Sequence, residues 1–167
     1  MSLIIDKAKV SRGALLHHYN AKNDLIIDAA RTLMFRVFER LQTLILEMTK
    51  SPDRLEVLVE QIWDEFFKTG THVVYVELNV ASRRDKSLAA LLRSLAPNVE
   101  ENIRIAFDQQ FTATGNSKAT PHELFLLTRW FLRGMAMDAH LLDDPRAIKR
   151  FIHTWCAVAL SHLQPVE

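Results

Sequence analysis

From Lys22 to Thr49 the chain runs without a glycine or a proline, and its apolar residues Leu25, Ala29, Leu33, Val37, Leu41 and Leu44 return at three- and four-residue steps. That spacing lays one apolar face along a helix. A single long amphipathic helix is marginal until its face is covered, so the stretch dictates a fold of helices packed on it. The rest of the sequence agrees. Only 4 Gly and 5 Pro punctuate the 167 residues, and the breaks fall near Asn20-Ala21, Ser51-Pro52, Thr69-Gly70, Arg84-Asp85, 114–121 and 143–145. Between them lie segments of helical length. Three starts carry capping signals: Ser51-Pro52-Asp53 and Asp144-Pro145 set a side-chain oxygen before a proline at the first helical position, and Thr120-Pro121-His122-Glu123 adds a capping box. The last two helices are expected over 120–142 and 145–163.

One segment reads two ways. In "THVVYVELNV", Val74, Val76, Leu78 and Val80 alternate with polar or aromatic residues, as in a strand. A lone strand would leave its backbone groups unpaired in a chain otherwise helical. Val73, Val76, Glu77 and Val80 also form a helical stripe, and the segment is predicted to be helix.

Composition bounds the partners. The formal net charge is +1, which disfavours a broad polyanion-binding surface and leaves room for a small local basic patch. A single cysteine, Cys156, excludes an internal disulfide and suits a reducing cytoplasm. No apolar run is long enough to span a bilayer, and Asp6 and Lys7 interrupt any leader at once. His17 and His18 are adjacent and diverge on a helix, His153 and His162 are too far apart, and no HExxH or CxxC spacing exists, so no metal site is predicted. Cys156 reads as packing, and Asp138, His140, Asp143 and Asp144 as solvated charge beside a turn. No catalytic constellation is visible, and no enzyme or cofactor is predicted.

The most informative stretch is "VSRGALLHHYNAKNDL", residues 10–25. Ile4 to Ala8 reads as a short helix, Lys9-Val10 as a turn, and Ser11 to Tyr19 as a second helix capped by Ser11. Two short helices joined by a tight turn form a helix-turn-helix, whose second helix enters the major groove. Ala14, Leu15 and part of Tyr19 are expected to face inward. Arg12, Leu16, His17 and His18 then lie on the open face, where Arg12 can pair with a guanine edge and the histidines with phosphates or bases. Lys22 can meet a phosphate beside the free N–H groups that open the long helix.

This stretch resembles the signature of the tetracycline-repressor (TetR) family. Val10, Ser11, Gly13, Leu15, His18, Tyr19, Lys22 and Leu25 fall where that pattern has a valine-serine turn, a glycine, a leucine, an aromatic-rich helix end and a lysine opening a long helix. "VELNVASRRDKSLAALL" is similar to two later helices of many members. The resemblance implies an all-α fold: a helix-turn-helix over 1–31, then a helical effector-binding and dimerisation domain over 32–167. It implies a transcriptional regulator, expected to be a repressor, that binds operator DNA through Ser11, Arg12, Gly13, Leu16, His17, His18 and Lys22. The departures are local. Lys9 stands where the family has glycine, Ile5 where it has alanine, Leu16 for a frequent tyrosine, and Ala21 for a capping serine. The family's first helix has no counterpart before residue 2, so the DNA-binding region is expected to be partial. Leu3, Ile4, Ala8 and Leu15 are then expected to be partly bare, with the segment disordered, repacked against another chain, or a truncated start.

The last two helices are apolar over more than one stripe, as Leu124, Leu127, Phe131, Met135 and Leu142 and then Ile148, Phe151, Ile152, Trp155, Ala159 and Leu163 show. Covering both sides calls for another subunit or for a single thick core, and the resemblance implies a homodimer through these helices, with Gly134 and Ala139 allowing close approach. The resemblance also implies a small-molecule effector pocket, for which Trp63, Phe66, Phe67, Tyr75, Phe107, Phe111 and Trp130 are candidate lining residues or plain core, with Glu77, Asn79, Asn102 and Arg129 as candidate polar groups. Glu77 and Arg129 read more readily as members of structural or surface ion pairs than as ligand contacts. The rival reading is a helical ligand-binding or dimerisation protein that no longer touches DNA.

Overall fold

The computed structural model describes residues 2–48, 50–142, 144 and 146–166. Within them the chain forms α1 (Ser2–Ala8), α2 (Arg12–His18), α3 (Lys22–Leu46), α4 (Arg54–Ile62), a π-helical turn (Trp63–Phe67), α5 (Thr71–Ser82), α6 (Lys86–Asp108), β1 (Phe111–Ala113), α7 (Pro121–Asp138), a 3₁₀ turn (Ala139–Leu141), α8 (Ala147–Leu160) and β2 (Leu163–Pro165). The long uninterrupted stretch is α3, the ambiguous "THVVYVELNV" lies in α5, and the fold is all-α apart from one ribbon. The division expected between residues 31 and 32 falls inside the continuous α3.

Several helix ends follow from single residues. Ser11 Oγ accepts the Ala14 N–H at 3.1 Å and starts α2. Asp85 accepts the N–H groups of Ser87 and Leu88 at 2.9 and 3.0 Å and starts α6. At Thr120 the full box forms: Thr120 Oγ1 accepts the Glu123 N–H at 3.2 Å, and Glu123 accepts the Thr120 N–H at 2.8 Å. That last bond holds the Glu123 carboxyl below its ordinary range. α4 differs from expectation. The Arg54 N–H returns to the Ser51 carbonyl at 3.2 Å, closing a turn ahead of the helix, so Pro52 lies outside it. The start expected at 144–145 falls partly outside the described residues, as Asp143 and Pro145 do, and α8 begins at Ala147.

The main core gathers Leu41, Leu44 and Ile45 of α3, Leu55, Leu58 and Ile62 of α4, Phe107 of α6, Phe125 and Leu132 of α7, and Ile152 and Cys156 of α8. A smaller cluster joins Ala30 of α3 to Leu88 and Leu91 of α6, with Ile27 and Leu78 packed against it. β1 and β2 pair antiparallel in the register Phe111↔Pro165, Thr112↔Gln164 and Ala113↔Leu163. The expected helix over 145–163 therefore stops short. After Leu160 the chain turns, and Leu163 enters the core from a strand instead. Pro97 sits inside α6; lacking an N–H, it leaves the Arg93 carbonyl without its helical donor.

Candidate functional site

The first candidate surface is the α1–α2 corner. Lys9 has φ 52°, and its N–H and that of Val10 return to the carbonyls of Asp6 and Ile5 at 3.4 and 3.3 Å. This is the glycine-type end of a helix built with a lysine, which costs on the order of 1 kcal/mol. Leu15 is buried rather than partly bare, whereas Ala14 is exposed instead of facing inward; Leu3, Ile4 and Ala8 are exposed as expected, and Val10 is exposed beside them. Both short helices are formed. Ser11, Arg12, Gly13, Leu16, His17, His18 and Lys22 are all exposed, and the two histidine rings stand edge to face at 5.5 Å. A Cβ built on Gly13 meets only Ser11 Oγ, at an ordinary 3.8 Å, so nothing among the described residues requires glycine there.

Tyr19 fastens this corner to the long helix. Its hydroxyl donates to Asp28 Oδ2 of α3 at 2.7 Å, a bond to a carboxylate that pushes the phenol above its ordinary range. Ala21 gives α3 no side-chain cap, and Asn20 does not replace it. Asp24 instead accepts the Ala21 N–H at 3.0 Å, which places a carboxylate beside Lys22.

The second candidate is a pair of cavities between α3, α5, α6 and α7. A narrow one of about 70 Å³ is walled by Leu33, Val37, Ile62, Phe66, Phe67 and His72, together with Arg133. A wider one of about 460 Å³ runs along Asn79, Ser82, Arg83, Arg93, Val99 and Glu100. Met34, Phe38, Tyr75 and Arg129 line both. The π turn helps shape the narrow cavity: the Lys68 N–H reaches the Trp63 carbonyl at 2.9 Å, five residues back, and Phe66 and Phe67 at its end face the void.

Of the residues expected to line a pocket, the structure brings Phe66, Phe67, Tyr75, Asn79 and Arg129 together. Trp63 is one layer behind, buried and stacked on Phe67 at 5.7 Å. Phe107 is sealed in the main core between Phe111 and Phe125, at ring distances of 4.9 and 4.8 Å. Glu77 is exposed and Trp130 is 60% exposed, both outside these cavities. Asn102 lines a separate groove with Phe35 and Gln42. Helical spacing carried part of this answer. Asn79 follows Tyr75 by one turn and shares its face, while Glu77 points roughly 200° away.

Arg129 was expected in an ion pair, and it has none among the described residues. Burial and the neighbouring Arg133 lower its affinity for its proton, and Tyr75 and Glu100 offset this in smaller part. Arg133 lies over the Tyr75 ring at 4.3 Å, an attraction between cation and ring face.

Among solved structures, the fold matches a TetR transcription regulator from Haloarcula marismortui, with a TM-score of 0.69 over 96% of this chain and 85% of that one, at 17% identity. The fold is TetR-like. No protein-family model matches the sequence, and no curated protein does.

The TetR-like fold leaves one further face uncovered. On α7, Leu127, Trp130, Gly134 and Met137 follow helical spacing and are all exposed; on α8, Phe151 and Val158 are exposed. Behind them, Trp155 Nε1 donates to the buried Thr128 Oγ1 at 2.9 Å, and Phe131 stacks on Trp155 at 5.2 Å. Cys156 is buried, and desolvation, reinforced by Glu56 and Glu60, pushes its thiol up to about 12. A thiol held neutral in this way is a packing group, not a nucleophile. No helix among the described residues is long and apolar enough to cross a membrane.

Proposed function

We propose that this chain is a TetR-like transcriptional regulator, acting as a repressor. A homodimer binds operator DNA through α2 and changes its grip when a small, largely apolar effector enters the cavities beside α3. The observation that carries the reading is the α1–α2 corner. All seven residues matching a groove-reading surface are exposed, six of them over residues 11–18 and Lys22 at the start of α3, and Tyr19 ties the corner to that helix, which lines the cavity. Arg12 and Leu16 are one turn apart and suit base edges; Ser11, His17, His18 and Lys22 suit the backbone on either side. Gly13, not required by the fold, suits close approach of a phosphate.

The uncovered face of α7 and α8 supports the dimer. A stripe of large apolar residues on the last two helices is the pattern of an interface core, and a two-fold axis there brings the same patch against itself. Two copies of α2 then read successive major grooves when they lie about 34–36 Å apart. Widening or narrowing that spacing through α3 is how an effector acts.

The test is a titration of labelled duplexes, selected from a random pool by the chain itself, at two salt concentrations. Sequence preference is expected. With about six phosphate contacts per dimer, affinity falls about a thousandfold between about 50 and 200 mM salt. Binding with neither preference nor salt dependence would leave a helical ligand-binding or dimerisation protein without DNA function. One observation favours that rival: between residues 11 and 18 only Arg12 carries a permanent positive charge.

A further inference from the structure

We propose that the cavities between α3 and α7 take an organic anion, a carboxylate on an apolar tail, and that Arg129 meets its charge. The inference deepens the effector-binding reading above and rests on it. Three observations point the same way. Arg129 lines both cavities yet makes no hydrogen bond or ion pair among the described residues, so the donors of its guanidinium have no protein acceptor. Arg133, its neighbour, is occupied by the Tyr75 ring. And the walls carry an unbalanced charge: Arg83, Arg93, Arg129 and Arg133 face a single carboxylate, Glu100.

The desolvated, like-charged setting that lowers the Arg129 proton affinity is relieved by a bound anion and worsened by a bound cation. A neutral ligand leaves the guanidinium as it is. A planar fork of donors matches a carboxylate in two parallel bonds, which fixes the head group. From there the tail has an apolar slot, with Leu33, Val37, Ile62 and Phe66 as its walls. The wider cavity, at about 460 Å³, is in the size range of small-molecule sites.

Calorimetric titration of the full chain with octanoate, 1-octanol and octylammonium tests this without any variant. Octanoate is expected to bind at least tenfold more tightly than octanol, with octylammonium weakest. Arg129→Gln is expected to erase the octanoate advantage while leaving octanol affinity unchanged, and Arg129→Lys to keep part of it. Circular dichroism melts check that each variant folds. Equal affinity for octanoate and octanol, no binding of either, or an octanoate preference that survives in a folded Arg129→Gln overturns the proposal. The DNA titration repeated with each probe separates the two readings. An octanoate preference without any effect on DNA binding upholds the anion site and counts against the regulator. Octanol acting on DNA as strongly as octanoate does the reverse.

Discussion

Gly134 offers the sharpest test of the proposed dimer. It sits in the interior of α7, where glycine costs roughly 1 kcal/mol relative to alanine. A Cβ built there meets nothing within 4 Å, so the isolated chain gives no steric reason for glycine. Gly134→Ala is therefore expected to stabilise the monomer by about 1 kcal/mol, a rise of about 2–4 °C in melting temperature. The same position lies in the exposed stripe between Trp130 and Met137. In a two-fold interface each substitution occurs twice. A leucine forced into a packed contact costs about 1–3 kcal/mol per site, hence about 2–6 kcal/mol per dimer. At about 1.4 kcal/mol per tenfold, Gly134→Leu weakens dimerisation between about 30-fold and 10⁴-fold while the monomer stays folded. Sedimentation equilibrium measures the dissociation constant, and circular dichroism reports the fold at the same concentrations. Unchanged self-association of Gly134→Leu would show that α7 does not carry the interface. A destabilised monomer would show that the space around Gly134 is not open.

Other perturbations separate core from site. Phe107→Ala empties a sealed aromatic cluster and is expected to cost about 3–5 kcal/mol in urea unfolding; where the variant remains folded, octanol affinity is unchanged, since Phe107 lines neither cavity. The Cys156 thiol, titrating at about 12, is about one part in ten thousand thiolate at pH 8. Its reaction with a disulfide reagent at that pH should be slow in the native chain and fast in denaturant, and a fast native reaction contradicts its burial. Linkage gives the sign above pH 8: the raised pKa keeps the thiol's contribution to stability intact below the unfolded value of about 8.5 and removes it as pH approaches about 12. Cys156→Ala is expected to flatten that part of the melting profile. Tyr19→Phe removes the 2.7 Å bond to Asp28; hydrogen exchange of the amides over 12–18 is expected to quicken with little change in global melting.

The periodic elements were legible in the sequence, and the short or aperiodic ones were not. α3 and α7 announce themselves by spacing and by the Thr120 box, and the partner argument chose helix for residues 71–80 because isolated strand edges are costly. β1 and β2 are each three residues long, too short to show a period of two. Leu160 and Leu163 also keep a helical interval across the turn that ends α8, so the pattern alone ran on. The turn of Trp63–Phe67 contains no glycine or proline to mark it. For the cavities, residue type was the weaker guide and angle the stronger. Phe107 and Trp130 are as aromatic as Tyr75, but one points into the core and the other out of the molecule. Arg129 shows the limit of the approach. A sequence supplies the charge, and only the packed helices reveal that Arg129 has no hydrogen bond or ion pair among the described residues, with Glu100 offsetting it only in part.

Under the proposed function, the two candidate surfaces communicate through α3, which both of them touch. Tyr19 holds Asp28, while Met34 and Phe38 line the cavities; at about 1.5 Å of rise per residue, those points lie about 9 and 15 Å apart along one helix. Between them sits Ala30, buried against Leu88 and Leu91 of α6. In such a mechanism that small cluster is the packing an α3 displacement meets between the two surfaces, while Leu41, Leu44 and Ile45 anchor the far end of the helix in the large core. α6 also lines the wider cavity through Arg93 and Val99, so under the proposed function a ligand there touches both partners of the same contact. Under the proposed function, the displacement reaching α2 is set by how far Ala30 moves against Leu88 and Leu91. A side chain with no more than a methyl group suits such a joint, because it presents little for the leucines to lock against.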